Sequence, residues 1–214
     1  LSSRFGWTSS DIRLAGTIPV LYKPASRHIF PRHMINKEAD ARRRLGLVQV
    51  YTGNGKGKTT AAFGLAMRAA GNGLKVIIIQ FLKPDGDYGE QISARRLGIE
   101  LLPVGRDHMH GLKTNEETEG ELTAGGMRLA TEALTSGEYD LVILDELNNS
   151  MRFELVTAQE VIAMLEKRAP ETEVVLTGRG APEEIIEYAD LVTEMKLIKH
   201  PMDRGIPARR GIEY

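Results

Sequence analysis

Apolar positions along this chain fall into short unbroken runs separated by longer stretches with a wider period. Leu47-Val48-Gln49-Val50-Tyr51 leads into a turn rich in glycine and lysine, and Lys75 to Phe81 is a β-branched run bounded by Gly73 and Pro84. A weaker run follows at Ile99 to Val104, then Leu141 to Leu144, Glu173 to Thr177 and Leu191 to Met195. Short runs that are apolar throughout mark strands covered on both faces. Between them apolar residues recur at helical spacing: Leu65, Met67, Ala69 and Ala70 in a stretch from Ala61 to Ala70; Met127, Leu129, Ala130, Ala133 and Leu134; Val161, Ile162, Met164 and Leu165; and Ile185 with Ile186. The alternation predicts an α/β fold of three layers, with a mostly parallel sheet, right-handed crossovers and helices on both faces. In such folds ligands gather at the carboxyl ends of the strands. Gly105 to Gly120 is the one long loop the pattern leaves, and loops of that length commonly carry function or motion.

At 214 residues, 42% of them hydrophobic, the chain can bury one sizeable core, and the reading is of one domain over residues 45–214 behind an extension at 1–44. Residues 1–34 set Arg4, Arg13, Lys23, Arg27 and Arg32 against the single acid Asp11. An Arg-rich, Ser-rich and acid-poor start fits a transit segment, whereas a secretory signal needs a continuous apolar centre that is absent. The plainer reading is an extension ahead of a natural start at Met34, with Lys37 to Arg44 as a short solvated helix leading into the first strand, lying across a subunit or a nucleotide. A net charge of -1 and a pI near 6.6 give no bulk field for nucleic acid. The lack of cysteine excludes disulfides, thiolate zinc sites and thiol nucleophiles, and fits the cytoplasm. No apolar run approaches the length that spans a bilayer.

The candidate chemistry starts at Gly53-Asn54-Gly55-Lys56-Gly57-Lys58-Thr59-Thr60, between a strand and a helix. Glycines 53, 55 and 57 let backbone N–H groups turn toward phosphate oxygens, Lys58 adds a point charge, and Thr59 can offer its hydroxyl to Mg²⁺. The dipole of the following helix favours the same anion. The spacing is one residue tighter than G-x-x-x-x-G-K-[ST], because Thr52 stands where that pattern has glycine. The plain structural alternative is a Gly-rich turn without a ligand.

A second strand end supplies acids. Leu141 to Leu144 is followed by Asp145-Glu146, carboxylates able to bind Mg²⁺ directly or through its water; alternatively Asp145 only caps the segment that follows. Thr177-Gly178-Arg179-Gly180 offers a guanidinium to phosphate, or is a surface turn. Lys83 and Glu90 either line the site or are solvated. His108 and His110 invite a metal reading, but no third ligand accompanies them, and hydrogen-bonded loop histidines are the simpler account.

The phosphate loop with Ala61-Ala62, the run Val142 to Asn148, Leu176-Thr177-Gly178-Arg179 and the carboxyl-terminal stretch from Ala189 through Lys199-His200-Pro201 to Gly211-Ile212-Glu213-Tyr214 together resemble the P-loop corrinoid adenosyltransferases over about residues 35–214. The resemblance implies a P-loop NTPase fold of the RecA-like kind. It also implies the transfer of the 5′-deoxyadenosyl group of ATP to cobalt(I) of a reduced corrinoid, with release of triphosphate, in adenosylcobalamin biosynthesis or salvage. Gly53 to Thr60 and Arg179 would bind the nucleotide, Lys58 would neutralise charge, Asn54 would reach the nucleoside, and Thr59 and Glu146, with Asp145, would hold Mg²⁺. Met109 and Leu112 would face the corrinoid, since Arg106 to Leu112 contains no Phe or Trp. An electron donor such as a flavodoxin and a homodimer complete the expectation. The rival enzyme is a kinase or NTP hydrolase with Glu146 as general base; the non-catalytic rival is a nucleotide-sensing module.

Overall fold

A computed structural model describes residues 44–106 and 116–213. The strands β1 (Val48–Thr52), β2 (Val76–Phe81), β3 (Glu100–Val104), β4 (Leu141–Asp145), β5 (Glu173–Thr177) and β6 (Leu191–Glu194) form one sheet in the order β3-β2-β4-β5-β1-β6. Every pairing is parallel, so the sheet is more uniform than the mostly parallel one expected. The helices are α1 (Lys58–Gly71), α2 (Gly89–Arg96), α3 (Glu116–Thr135), α4 (Leu147–Arg152), α5 (Ala158–Leu165) and α6 (Glu183–Tyr188), with a 3₁₀ turn at Pro201–Arg204.

The period-two alternation of each strand divides the core into two layers. Ile77, Ile79 and Phe81 of β2 join Val142 and Leu144 of β4 under Ala130 and Leu134 of α3, Val161 and Leu165 of α5, and Leu147 of α4. Val76 and Ile78, with Leu141 and Ile143, pack on the opposite side against Ala62, Ala66 and Ala69 of α1 and Ala94 of α2. Each fully buried Ile or Leu contributes about 1.5–3 kcal/mol relative to exposure. The alanines bring α1 close to the sheet, which sets its amino terminus directly over the strand ends.

Two helices were not legible as helices. In α2 only Gln91 and Ala94 are buried, and in the six-residue α4 the buried face includes Asn148 and Ser150, so neither shows an apolar period. The expected loop from Gly105 to Gly120 is shortened, because α3 begins at Glu116 in an acid- and glycine-rich sequence without apolar rhythm. Likewise α1 starts at Lys58, three residues before the expected Ala61. His108, Met109, His110 and Leu112, and the extension up to residue 43, lie outside the described residues. Among the described residues no helix is long and apolar enough to cross a membrane.

The entry of the chain into β1 is held by two carboxylates. Glu173 Oε2 accepts from the N–H groups of Gly46 (3.0 Å) and Leu47 (2.8 Å), its Oε1 accepts from Gln49 Nε2 (2.6 Å), and Asp190 Oδ2 accepts from Val48 N–H (2.8 Å). Glu173→Ala strands three donors beside a buried position; we expect a loss of about 2–3 kcal/mol in denaturant unfolding, with nucleotide binding by the folded variant unchanged.

Candidate active site

The phosphate loop leaves β1 at Gly53. Thr52 stays in the strand, in register with Glu194 of β6, and its buried hydroxyl accepts from Ala181 N–H at 3.2 Å. That commitment explains the tight spacing: the residue standing at the first glycine position is sheet, and the turn begins one residue later. Gly57 ends the loop at φ 120, a conformation that favours glycine, and caps α1 without any side-chain bond. The first N–H groups of α1 are therefore left facing the loop, which is where a polyphosphate would sit.

Lys58, the first residue of α1 and only 7% exposed, donates to the carbonyls of Gly53 (2.9 Å) and Gly55 (2.8 Å). Burial lowers its pKa, while Glu146 and Asp145 pull it back up. The outer wall of the loop is the segment that follows β6. Gly55 N–H donates to Met195 O at 2.6 Å, and a Cβ on Gly55 would lie 2.6 Å from that same oxygen. Thr59 is half-buried in the first turn, and Asn54, Lys56 and Thr60 are exposed. Lys56 is turned away to the carboxyl-terminal tail, where its Nζ donates to Ile212 O (3.0 Å) and Glu213 Oε1 (2.8 Å). Arg209 grips the same carboxylate and, with Lys56, holds it far below the ordinary carboxylate range.

The acid pair lies across the sheet ends, on the α1 side. Asp145 is 1% exposed, and both of its oxygens are engaged: Oδ2 accepts from Gln80 Nε2 (3.0 Å) and Oδ1 from the Thr177 hydroxyl (2.7 Å). The helix cap falls on Glu146 and not on Asp145. Glu146 sits in the left-handed region at φ 64, ψ 12, with its N–H on Thr177 Oγ1 (3.0 Å) and its Oε2 accepting from Asn149 Nδ2. A positive φ on a non-glycine residue costs on the order of 1 kcal/mol and is a frequent mark of a functional position. Burial, then the neighbouring Asp145 charge, pushes the Glu146 carboxyl up to about 7 against the pull of Lys58, Lys83 and Arg179. Arg179 is exposed at the rim, its backbone N–H donating to Asn149 Oδ1 at 2.7 Å. Lys83 and Glu90 pair with each other, and the lysine lies over the Tyr88 ring at 4.2 Å.

Loop and acid pair thus meet at one edge, with Lys58 between them. Gln80, Gln91 and Asn149 also belong to this edge, and of these only Gln80 left a trace in the sequence, as a polar residue inside an apolar strand. Among the described residues no cage of three or more acidic or histidine side chains occurs. A hydroxyl at Thr59 and a carboxylate at Glu146 are hard oxygen donors that suit Mg²⁺, which takes few protein ligands and fills its octahedron with water and phosphate. A hollow of about 680 Å³ along the outer flank of α1, lined by Tyr51, Ala61, Leu65 and Arg68 among others, has neither the acids nor the loop amides.

An all-parallel sheet with a glycine-lined loop at the amino end of its first helix and an acid pair beyond a neighbouring strand defines a P-loop nucleotide-binding protein. Residues 44–214 match the family "ATP:corrinoid adenosyltransferase BtuR/CobO/CobP". The corrinoid adenosyltransferase of Escherichia coli K12 is 36% identical over 176 residues, 82% of this chain and 89% of that protein. Its namesake in Pseudomonas aeruginosa is 37% identical over 183 residues, 83% and 88% of the two chains. The corrinoid adenosyltransferase CobA of Salmonella typhimurium is 36% identical over 179 residues, 82% and 89% of the two. The chain belongs to this family, a transferase that moves the adenosyl group of ATP to a corrinoid.

Two outcomes test the site. Gly55→Ala forces the loop off Met195, and we expect nucleotide binding about tenfold weaker, about 1.4 kcal/mol, by calorimetry, with an unchanged circular dichroism spectrum. The second concerns pH. Glu146 keeps its proton in the folded protein up to about pH 7, whereas the unfolded chain releases it near the ordinary carboxylate value of 4.5. Between those values the unfolded state binds fewer protons, so stability falls as pH rises through the window and stays low above it. Glu146→Gln removes that loss: paired melts of ligand-free protein should show Tm higher by roughly 2–4 °C at pH 8, and little difference at pH 5.

Proposed function

We propose that Gly53 to Thr60 grips the triphosphate of ATP as a leaving group, so that cobalt(I) of a reduced corrinoid attacks C5′. The cobalt lone pair forms the Co–C bond, the C5′–O bond breaks with its electrons on oxygen, and inorganic triphosphate departs. No proton leaves the nucleophile, so the step asks for no general base. The chain supplies alignment and charge stabilisation. Loop N–H groups and the start of α1 receive the phosphate oxygens. Lys58 exchanges its two carbonyl partners for those oxygens, delivering a positive charge that burial has already stripped of water. Bound at Thr59 and Glu146, Mg²⁺ would offset polyphosphate charge; Asp145, with both oxygens engaged, would act through water. Arg179 at the rim would take a phosphate oxygen, Asn54 would reach the nucleoside, and Met109 and Leu112 would give the corrin an apolar face.

The observation that carries this reading is the tight loop with Lys58 sealed beneath it and the acid pair opposite, in a chain that matches the family over residues 44–214. We further propose that the protein works in the cytoplasm as a homodimer, on a corrinoid reduced by an electron donor of the flavodoxin type. The exposure of Leu191, Val192 and Ile198 on and after the edge strand β6 supports a second subunit. Incubation of ATP, Mg²⁺ and chemically reduced cobalamin with the protein should yield triphosphate and the spectrum of an alkylated corrinoid, and Lys58→Ala should lower kcat/KM by about a hundredfold or more. ADP and orthophosphate with no alkylated product would overturn it.

A further inference from the structure

Asp145 lies within a longer buried file of hydrogen bonds. Gln80 faces Asp145 in the β2–β4 register and gives it Nε2. Gln80 Oε1 accepts from Gln91 Nε2 (2.9 Å), which also donates to Pro84 O (3.0 Å), and Gln91 Oε1 accepts from Gly86 N–H (3.0 Å). Both glutamine side chains are fully buried. On the other side of Asp145, Thr177 passes the file to the backbone N–H of Glu146.

The direction of every bond follows from the carboxylate. Both Asp145 oxygens accept, so Gln80 must present its NH₂ to the acid and its oxygen to α2. Gln91 must then donate to Gln80, which leaves its own oxygen for the turn and requires a backbone N–H there. Reversing either amide would set acceptor against acceptor at one end and donor against donor at the other in a buried site, at a cost of about 1–3 kcal/mol for each unmet group. The turn so tied leads to Tyr88, over whose ring Lys83 lies, and Lys83 is one of the cations that act on Glu146.

We propose that Gln80 and Gln91 are positioning residues that lock the Pro84–Gly86 turn to the acid pair, so that metal binding at Glu146 and the geometry of the β2–α2 turn are one coupled event. This rests on the reading of Glu146 as a Mg²⁺ ligand. A purely structural pair of glutamines would change melting temperature and leave the folded protein's metal affinity and KM alone.

The test uses Gln91→Met, similar in volume and unable to make any of the three bonds. Mn²⁺ affinity of the ATP-loaded protein is read by electron paramagnetic resonance well below the Tm of each variant, beside steady-state kinetics. Gln91→Met should weaken Mn²⁺ about tenfold and raise KM for the metal–nucleotide by a similar factor, with kcat within about twofold. In the wild-type protein, Mg²⁺ with ATP should slow amide hydrogen exchange at Gly86, a readout that survives even if the variant does not fold. Glu146→Gln runs in parallel. Metal affinity lost in Glu146→Gln and kept in folded Gln91→Met overturns the lock alone. No loss in either overturns the metal reading and the lock with it, and unaltered exchange at Gly86 in the wild type overturns the coupling.

Discussion

A carboxylate sealed beneath a phosphate loop is the constraint around which this structure is arranged. Asp145 has almost no exposure, and a charge so placed is tolerated only when its lone pairs are met. The neighbouring strands each bring a neutral donor to the same level, Gln80 from β2 and Thr177 from β5, and α1 brings the Lys58 ammonium into reach. A slip of one residue in either strand would turn its donor to the far face of the sheet. The site therefore specifies register as much as the apolar core does.

Glu146 shows the complementary half of that arrangement. The chain leaves β4 through a left-handed turn that gives the Glu146 carboxylate to Asn149 while its neighbour stays in the row. Thr177 serves both, donating to Asp145 and accepting from the Glu146 N–H. One hydroxyl thus ties the two adjacent acids together.

The strands and the phosphate loop were legible in sequence because each carries its own signal. β2, β4 and β5 are buried on both faces, so most of their residues are apolar, and the loop needs glycines and a lysine at fixed offsets whatever its neighbours. Helices α2 and α4 were hidden because polar residues, Gln91, Asn148 and Ser150, stand on their buried faces and break the apolar period. Long-range pairing also hid the fate of Lys56, since nothing near it announces Glu213. The same holds for Asp145, which local pattern could identify as an acid after a strand but not as one whose oxygens are already taken.

The last residues of the chain are built into the site they follow. Met195 braces the loop at Gly55, and Glu213 holds Lys56 just beyond, so the segment between them works as a strut for the phosphate loop. Anything fused there inherits a mechanical connection to the nucleotide pocket.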